Sequence, residues 1–149
     1  MNQYRIEVGL QPDRKDHHGK TLKDELAFLG KAIPGDIRCV RVYHIRGALS
    51  KADADRFAAQ VLADAVVDIH TVDTSIDTRY GVDLVAVEIF KKPGVMEPVR
   101  DSIIKTATDL GVSISDAWTA KRWLFPNGSS SELLTFAATQ LLSNEAIED

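Results

Sequence analysis

The chain has almost no cysteine: Cys39 is the single one among 149 residues, and one thiol closes no internal disulfide. Flanked by Arg38 and Val40 in a stretch of strand character, it reads as a reduced, buried thiol, the usual state of an unpaired cysteine. Concentrated positive charge is missing as well. The 18 basic and 22 acidic residues give a net charge of −4 and are spread along the chain. No basic block offers a surface for tracking phosphates, so nucleic acid is not the expected partner. Residues 1–10 hold no apolar run of signal-peptide length and no window approaches a membrane span, which leads to the expectation of a cytoplasmic protein.

Reactive constellations are equally sparse. Of the four histidines, His17 and His18 are adjacent, where side chains diverge, and His44 and His70 stand alone on predicted strands, so no metal-ligand spacing arises. Gly19-Lys20-Thr21 has the end of a phosphate loop, but the residue five before Gly19 is Arg14 and the full glycine spacing is lost. Asn127 and the serines 129–131 read as a turn and a helix cap with no base beside them. No catalytic residue, cofactor site or metal site is therefore expected in this chain. A stand-alone enzyme would need a convergent polar cluster, and none can be assembled from these residues.

What the chain does have is a repeated phrase. Residues 8–30 align without a gap on residues 89–111, Val8 on Ile89 and Gly30 on Gly111. A length of 149 residues is that of one ordinary domain or of two small units sharing a core. Each copy opens on a strand, 4–10 and 83–90, in which Ile6-Glu7-Val8 answers Val87-Glu88-Ile89. Alternation puts the two glutamates on the wetter face. Pro12 and Pro93 end these strands. Helices over 19–29 and 98–110 follow, with Leu22, Leu26 and Leu29 in one and Ile103, Ala107 and Leu110 in the other at one-face spacing. Pro98 suits a first helical position, and Gly30 and Gly111 suit the position past the helix end.

Second strands are predicted over 37–45 and 117–125, matching Arg41 and Tyr43 with Lys121 and Trp123. Ser50 and Asp53 form a capping box before a second helix, in which Phe57-Ala58-Ala59 matches Phe136-Ala137-Ala138. A short strand-like tail closes each copy, 65–72 and 146–149, and the polar, turn-forming stretch between the copies reads as a linker. The organisation is a first unit at 1–72, a linker at 73–82 and a second unit at 83–149. The expected fold class is α+β, a tandem duplication of a β-α-β-α-β unit of ferredoxin-like character. Its two antiparallel-sheet units would pack as a pseudo-twofold pair. Trp118 and Trp123 fall on opposite faces of one strand, one for the core and one as a contact anchor. Lys91-Lys92 with Lys121-Arg122 gather positive charge, which suits either a solvated surface or an interface for an acidic partner.

The strand followed by Lys92-Pro93-Gly94-Val95, the helix ending in Leu-Gly, the strand with a basic residue before an aromatic one, and the closing 141–149 stretch resemble the PurS family. That family comprises the small subunit of phosphoribosylformylglycinamidine synthase and the matching N-terminal region of the large form of that enzyme. The second copy keeps Pro93-Gly94-Val95 but has Glu97 and Arg100 where the family has Asp and Gly. The first keeps Pro12, Asp16, Gly19 and Lys20 but has Asp13 for the Gly.

The resemblance implies a non-catalytic role in purine biosynthesis, joining an ATP-dependent synthetase of PurL type to a glutaminase of PurQ type and supporting ammonia transfer between them. ATP and magnesium would belong to the synthetase and the nucleophilic cysteine to the glutaminase. The contact residues it points to are Pro12, Asp16, Gly19, Arg41, Tyr43, Lys92, Pro93, Gly94, Lys121 and Trp123. A homo-oligomer is a further open partner state. The alternative reading is a small-molecule-binding regulatory module of ferredoxin-like type, which asks for the same strands and helices.

Overall fold

The computed structural model describes residues 1–90 and 99–142. Lys92, Pro93, Gly94, Pro98 and the closing tail at 146–149 lie outside them. Among the described residues the fold is α+β, with strands β1 (Asn2–Leu10), β2 (Arg38–Gly47), β3 (Asp68–Val72), β4 (Val85–Phe90) and β5 (Asp116–Phe125). The helices are α1 (His17–Phe28), α2 (Lys51–Phe57), α3 (Arg100–Asp109) and α4 (Ser131–Phe136). The last turns of α2 and α4 continue as π-helix over Ala58–Leu62 and Ala137–Leu142, at the matched Phe-Ala-Ala segments.

The strands form one antiparallel sheet in the order β3-β1-β2-β5-β4. The expected pair of separate packed sheets is replaced by edge-to-edge union, because β2 and β5 hydrogen-bond along their lengths with Arg38 opposite Leu124 and Arg46 opposite Asp116. Registers recur on either side of this seam. Val8 faces Arg41 and Ile6 faces Tyr43 in one hairpin, as Ile89 faces Lys121 and Val87 faces Trp123 in the other. Arg41 and Lys121 face each other across the seam itself.

The helices all serve one side of the sheet but pair crosswise. One apolar cluster combines Ala54 and Phe57 of α2 with Ile103 and Ala107 of α3, over Ile6, Val8 and Ile45. The other combines Leu22 and Leu26 of α1 with Ala137 and Leu142 after α4, over Ile89, Trp123 and Phe125. Each cluster therefore takes helices from both ends of the chain. Leu29 and Leu110, expected on the buried stripes, are 47% and 43% exposed. Each is the C-cap residue directly after its helix, where the chain already turns away, and Ile33 and Ile114 beyond the turn fill the clusters instead.

Local chemistry explains where the helices stop. Gly30 and Gly111 have φ of 78° and 75°, a left-handed conformation that a Cβ disfavours. The amides of Lys31 and Val112 then reach back to the carbonyls of Leu26 and Ala107 at 2.7 and 2.8 Å, closing a Schellman motif at each end. The Ser50–Asp53 capping box forms in both directions. Helix α1 begins two residues before the expected start because Asp16 caps it, accepting the Gly19 amide at 2.9 Å.

The stretch at 73–82 runs between β3 and β4 and lies across the sheet on the side away from the helices. Ile76 is fully buried there, and with Tyr80 and Leu84 it packs against Val40, Val42, Ala120 and Leu124. The Tyr80 hydroxyl donates to the Leu10 carbonyl at 2.7 Å, and burial pushes its pKa up to about 12. No helix among the described residues is long and apolar enough to cross a membrane.

Two outcomes follow for stability. Residues 1–72 alone, or 83–149 alone, leave each apolar cluster without half of its walls, so neither fragment gives a cooperative urea transition by circular dichroism, while the full chain does. A Cβ on Gly19 would stand 1.7 Å from the Ile37 carbonyl oxygen, so Gly19→Ala costs about 3 kcal/mol through overpacking. Gly30→Ala, with open space around the Cβ, costs about 1 kcal/mol from backbone conformation alone. Comparable losses for the two variants would contradict the close approach at Gly19.

Candidate functional site

Alternation along β1, β4 and β5 sends Arg5, Glu7, Glu88 and Arg122 to the side of the sheet without helices, where the 73–82 segment brings Asp77 to them. Arg5 donates from Nη1 to Glu88 Oε2 at 3.0 Å and from Nη2 to the other oxygen of the same carboxylate. Its Nε donates to Glu7 Oε2 at 3.0 Å. Arg122 grips Asp77 with Nε at 3.1 Å and Nη2 at 2.6 Å, and reaches Glu88 Oε1 with Nη1 at 3.3 Å. Glu7 Oε1 accepts the Ile76 amide at 3.3 Å. Two guanidiniums and three carboxylates thus tie β1, β4 and β5 to the crossing segment.

Glu7 is 3% exposed, which corrects the expectation of a solvated carboxylate. The crossing segment covers it, and a buried carboxylate persists because a guanidinium and an amide satisfy it. Desolvation works to raise the Glu88 pKa, but Arg5 and then Arg122 outweigh it and hold the carboxyl below its ordinary value. The hydrogen bonds to Glu88 raise Arg5 against the opposing effect of burial, and those to Asp77 do the same for Arg122. Two positive charges face three negative ones, and every member has at least one hydrogen-bonded partner, so the network can clamp and orient the crossing segment. Arg122, grouped by sequence with a basic surface, is committed here, on the face opposite Lys121.

Beyond the end of the crossing segment the same face carries an aromatic patch. His44 stacks on Trp118 with ring centroids 5.2 Å apart, and the Phe90 ring centroid lies 6.5 Å from that of His44. The buried Nε2 of His44 has no hydrogen-bond partner among the described residues. Burial lowers the His44 pKa below its ordinary value, Arg5 lowers it further, and Glu88 and Glu7 pull the other way.

The residues expected to make contacts fall into distinct places. Asp16 is buried, and besides capping α1 it accepts the Cys39 amide at 2.8 Å, which pins the loop after β1 to β2. Gly19 is required there by its approach to Ile37. Pro12 is exposed, with its carbonyl taking an Arg38 N–H at 2.7 Å. Arg41 and Lys121 are both exposed on the helix-bearing face, and Arg41 also pairs with Asp68 at 2.7 Å. Tyr43 is half-buried against the α2–α3 cluster. Trp123 is 5% exposed and belongs to the core, leaving Trp118 as the tryptophan with accessible surface.

The network went unread in the sequence because its members are far apart along the chain. The one available signal was the pair of matched glutamates in otherwise apolar strands. These features define a single-sheet α+β protein whose unusual chemistry is structural and electrostatic. Comparison of the chain with protein families, with curated proteins and with solved structures finds no match in any of them.

His44 supplies a test with a definite sign. Its folded pKa is depressed, so its contribution to stability is complete above the unfolded value of about 6.5 and declines as pH falls through that value toward the folded pKa. His44→Phe keeps the stack on Trp118 and removes the titration. Urea midpoints measured between about pH 7.5 and 5.5 are expected to fall for the wild type and to fall less for the variant. Parallel profiles would show that His44 titrates alike in both states.

Proposed function

We propose that this chain is a PurS-like bridging module of phosphoribosylformylglycinamidine synthase, built as a tandem duplication and non-catalytic in itself. In this reading it joins a PurL-type synthetase to a PurQ-type glutaminase and supports ammonia transfer between them, while ATP and magnesium act in the synthetase. The observation that carries the reading is the recurrence of strand register. The two hairpins pair matched residues with matched residues, and the seam between them sets Arg41 opposite Lys121. Two like units joined about a dyad would produce that pattern. The paired glycine helix ends and the π-helical turns at matched positions support it further.

A bridge must hold its contact surfaces at fixed spacing, and crosswise helix pairing suits that requirement. Arg41 and Lys121 are the contact residues this reading favours: they are exposed, basic and set at the centre of the helix-bearing face, where they would meet an acidic partner surface. Trp123 drops out as a contact because its ring fills the core.

Immunoprecipitation of the endogenous protein followed by mass spectrometry tests the proposal. Recovery of synthetase and glutaminase, as separate subunits or within one larger chain, is the expected result. Lys121→Glu is expected to weaken that recovery at least tenfold with the urea midpoint little changed. Recovery of neither enzyme would sink the reading and favour a small-molecule-binding module, for which the half-open His44–Trp118–Phe90 patch is the place where a ligand would stack.

A further inference from the structure

Two aspartates in the left-handed conformation bracket the crossing segment. Asp73 has a φ of 58° and Asp83 a φ of 55°, a region that residues other than glycine enter mainly as asparagine or aspartate. Positions at the ends of an element are where a chain absorbs the backbone rotations of a moving part. Between the two aspartates the segment is tied to the sheet by side chains. Its short helical turn, Asp77–Arg79, bonds within the segment, the Arg79 amide to the Ile76 carbonyl and the Tyr80 amide to the Asp77 carbonyl, both at 3.0 Å. Among the described residues no backbone-to-backbone hydrogen bond joins 74–83 to a strand. The ties that do reach the strands are the Ile76 amide on Glu7, the Arg122 fork on Asp77 and the Tyr80 hydroxyl on Leu10. The apolar face beneath, formed by Val40, Val42, Ile69, Ala120 and Leu124, shares no residue with either helix-side cluster.

We propose that residues 74–82 form a hinged strap that lifts from the sheet as one unit, pivoting at Asp73 and Asp83, with Asp77 as its latch. Lifting uncovers Val40, Val42, Ala120 and Leu124 while the helix-side clusters stay packed, so the protein can present or withhold an apolar strip of sheet without unfolding. The charge count of the network suits release. Arg5, Glu7, Glu88 and Arg122 all sit on strands and balance two against two, and the third carboxylate, Asp77, is the one that the segment carries. When the segment leaves, Arg122 keeps Glu88 at 3.3 Å and Glu7 keeps Arg5 at 3.0 Å. No charge on the sheet is then stranded without a partner, which is the usual cost of breaking a partly buried network. A segment held by few side chains and no ladder belongs to the low end of a fold's range of local stabilities.

The strap stands or falls separately from the bridging reading. Amide hydrogen exchange of the full chain, followed by NMR in increasing urea below the unfolding transition, tests it. The amides of Ile76, Arg79 and Tyr80 are expected to exchange together, about a hundredfold faster than the slowest amides of β2 and β5, and with a weaker dependence on urea because less surface opens. Two variants separate the strap from the whole. Gly30→Ala, far from the strap, is expected to speed the slowest β2 and β5 amides roughly fivefold and to leave those of Ile76, Arg79 and Tyr80 unmoved. Asp77→Ala is expected to speed the strap amides about tenfold by removing the Arg122 fork. If Asp77→Ala shows no melting transition, Asp77→Asn, which keeps the shape of the side chain, takes its place and is read in the same way. Strap amides that share the rate and urea dependence of β2 and β5 overturn the proposal, since the segment would then open only when the whole protein unfolds. So do strap amides that follow Gly30→Ala, or that ignore the loss of the Asp77 carboxylate.

Discussion

The antiparallel ladder between β2 and β5 is the interaction on which the rest of the molecule depends. It runs from Arg38 opposite Leu124 to Arg46 opposite Asp116, and it converts two hairpins into one sheet broad enough to carry four helices. Because the seam lies in the middle, each apolar cluster on the helix side straddles it. Loss of the ladder would expose both clusters together. Of the seam residues buried to within a few percent, Ala117 lies under the α2–α3 cluster, while Val40, Val42, Ala120 and Leu124 lie under the crossing segment on the opposite face. Small residues at Ala117 and Ala120 let the helices and the crossing segment settle close to the sheet.

The opposite face depends on the crossing segment, and the segment depends on charge. Ile76, Tyr80 and Leu84 alone would cover part of the sheet. The Asp77–Arg122 fork and the Glu7–Ile76 contact fix their register over it. Partly buried charge is costly unless fully matched. Here each guanidinium meets two carboxylates, so the arrangement specifies one seating of the segment rather than adding greatly to stability. The same network sets the environment of His44, whose neutral state is favoured first by burial and then by Arg5.

Much of the local architecture was legible in the sequence. The period-2 strands, the capping box at Ser50 and the glycine helix ends at Gly30 and Gly111 are signals contained within a few residues, and they formed as expected. The opposed faces of Trp118 and Trp123 follow from alternation alone. What was not legible depended on distant partners. Glu7 looked solvated because nothing local announces that residues 73–82 will lie over it. Asp16 and Gly19 looked like surface residues because their reason, contact with Ile37 and Cys39, is supplied by another strand. Trp123 looked available for contact because only the crosswise packing of α1 and the turn after α4 encloses it. The joining of the hairpins into one sheet was likewise invisible, since an edge strand and a central strand of this length read the same.

Crosswise helix pairing also fixes a schedule for synthesis. Chain growth delivers α1 and α2 first, yet the helices that complete their clusters are α4 and α3, the last and next-to-last of the described helices to emerge. Leu22, Leu26 and Phe57 must therefore remain uncovered through most of translation, and folding of the whole must await the release of residues near Leu142 from the ribosomal tunnel. Contacts of such sequence separation are slow to form and leave apolar surface open to wrong partners meanwhile. A cell making this protein has reason to shield its nascent N-terminal segment, and a product ending before α4 would leave the α1 cluster open while the α2–α3 cluster keeps both of its helices.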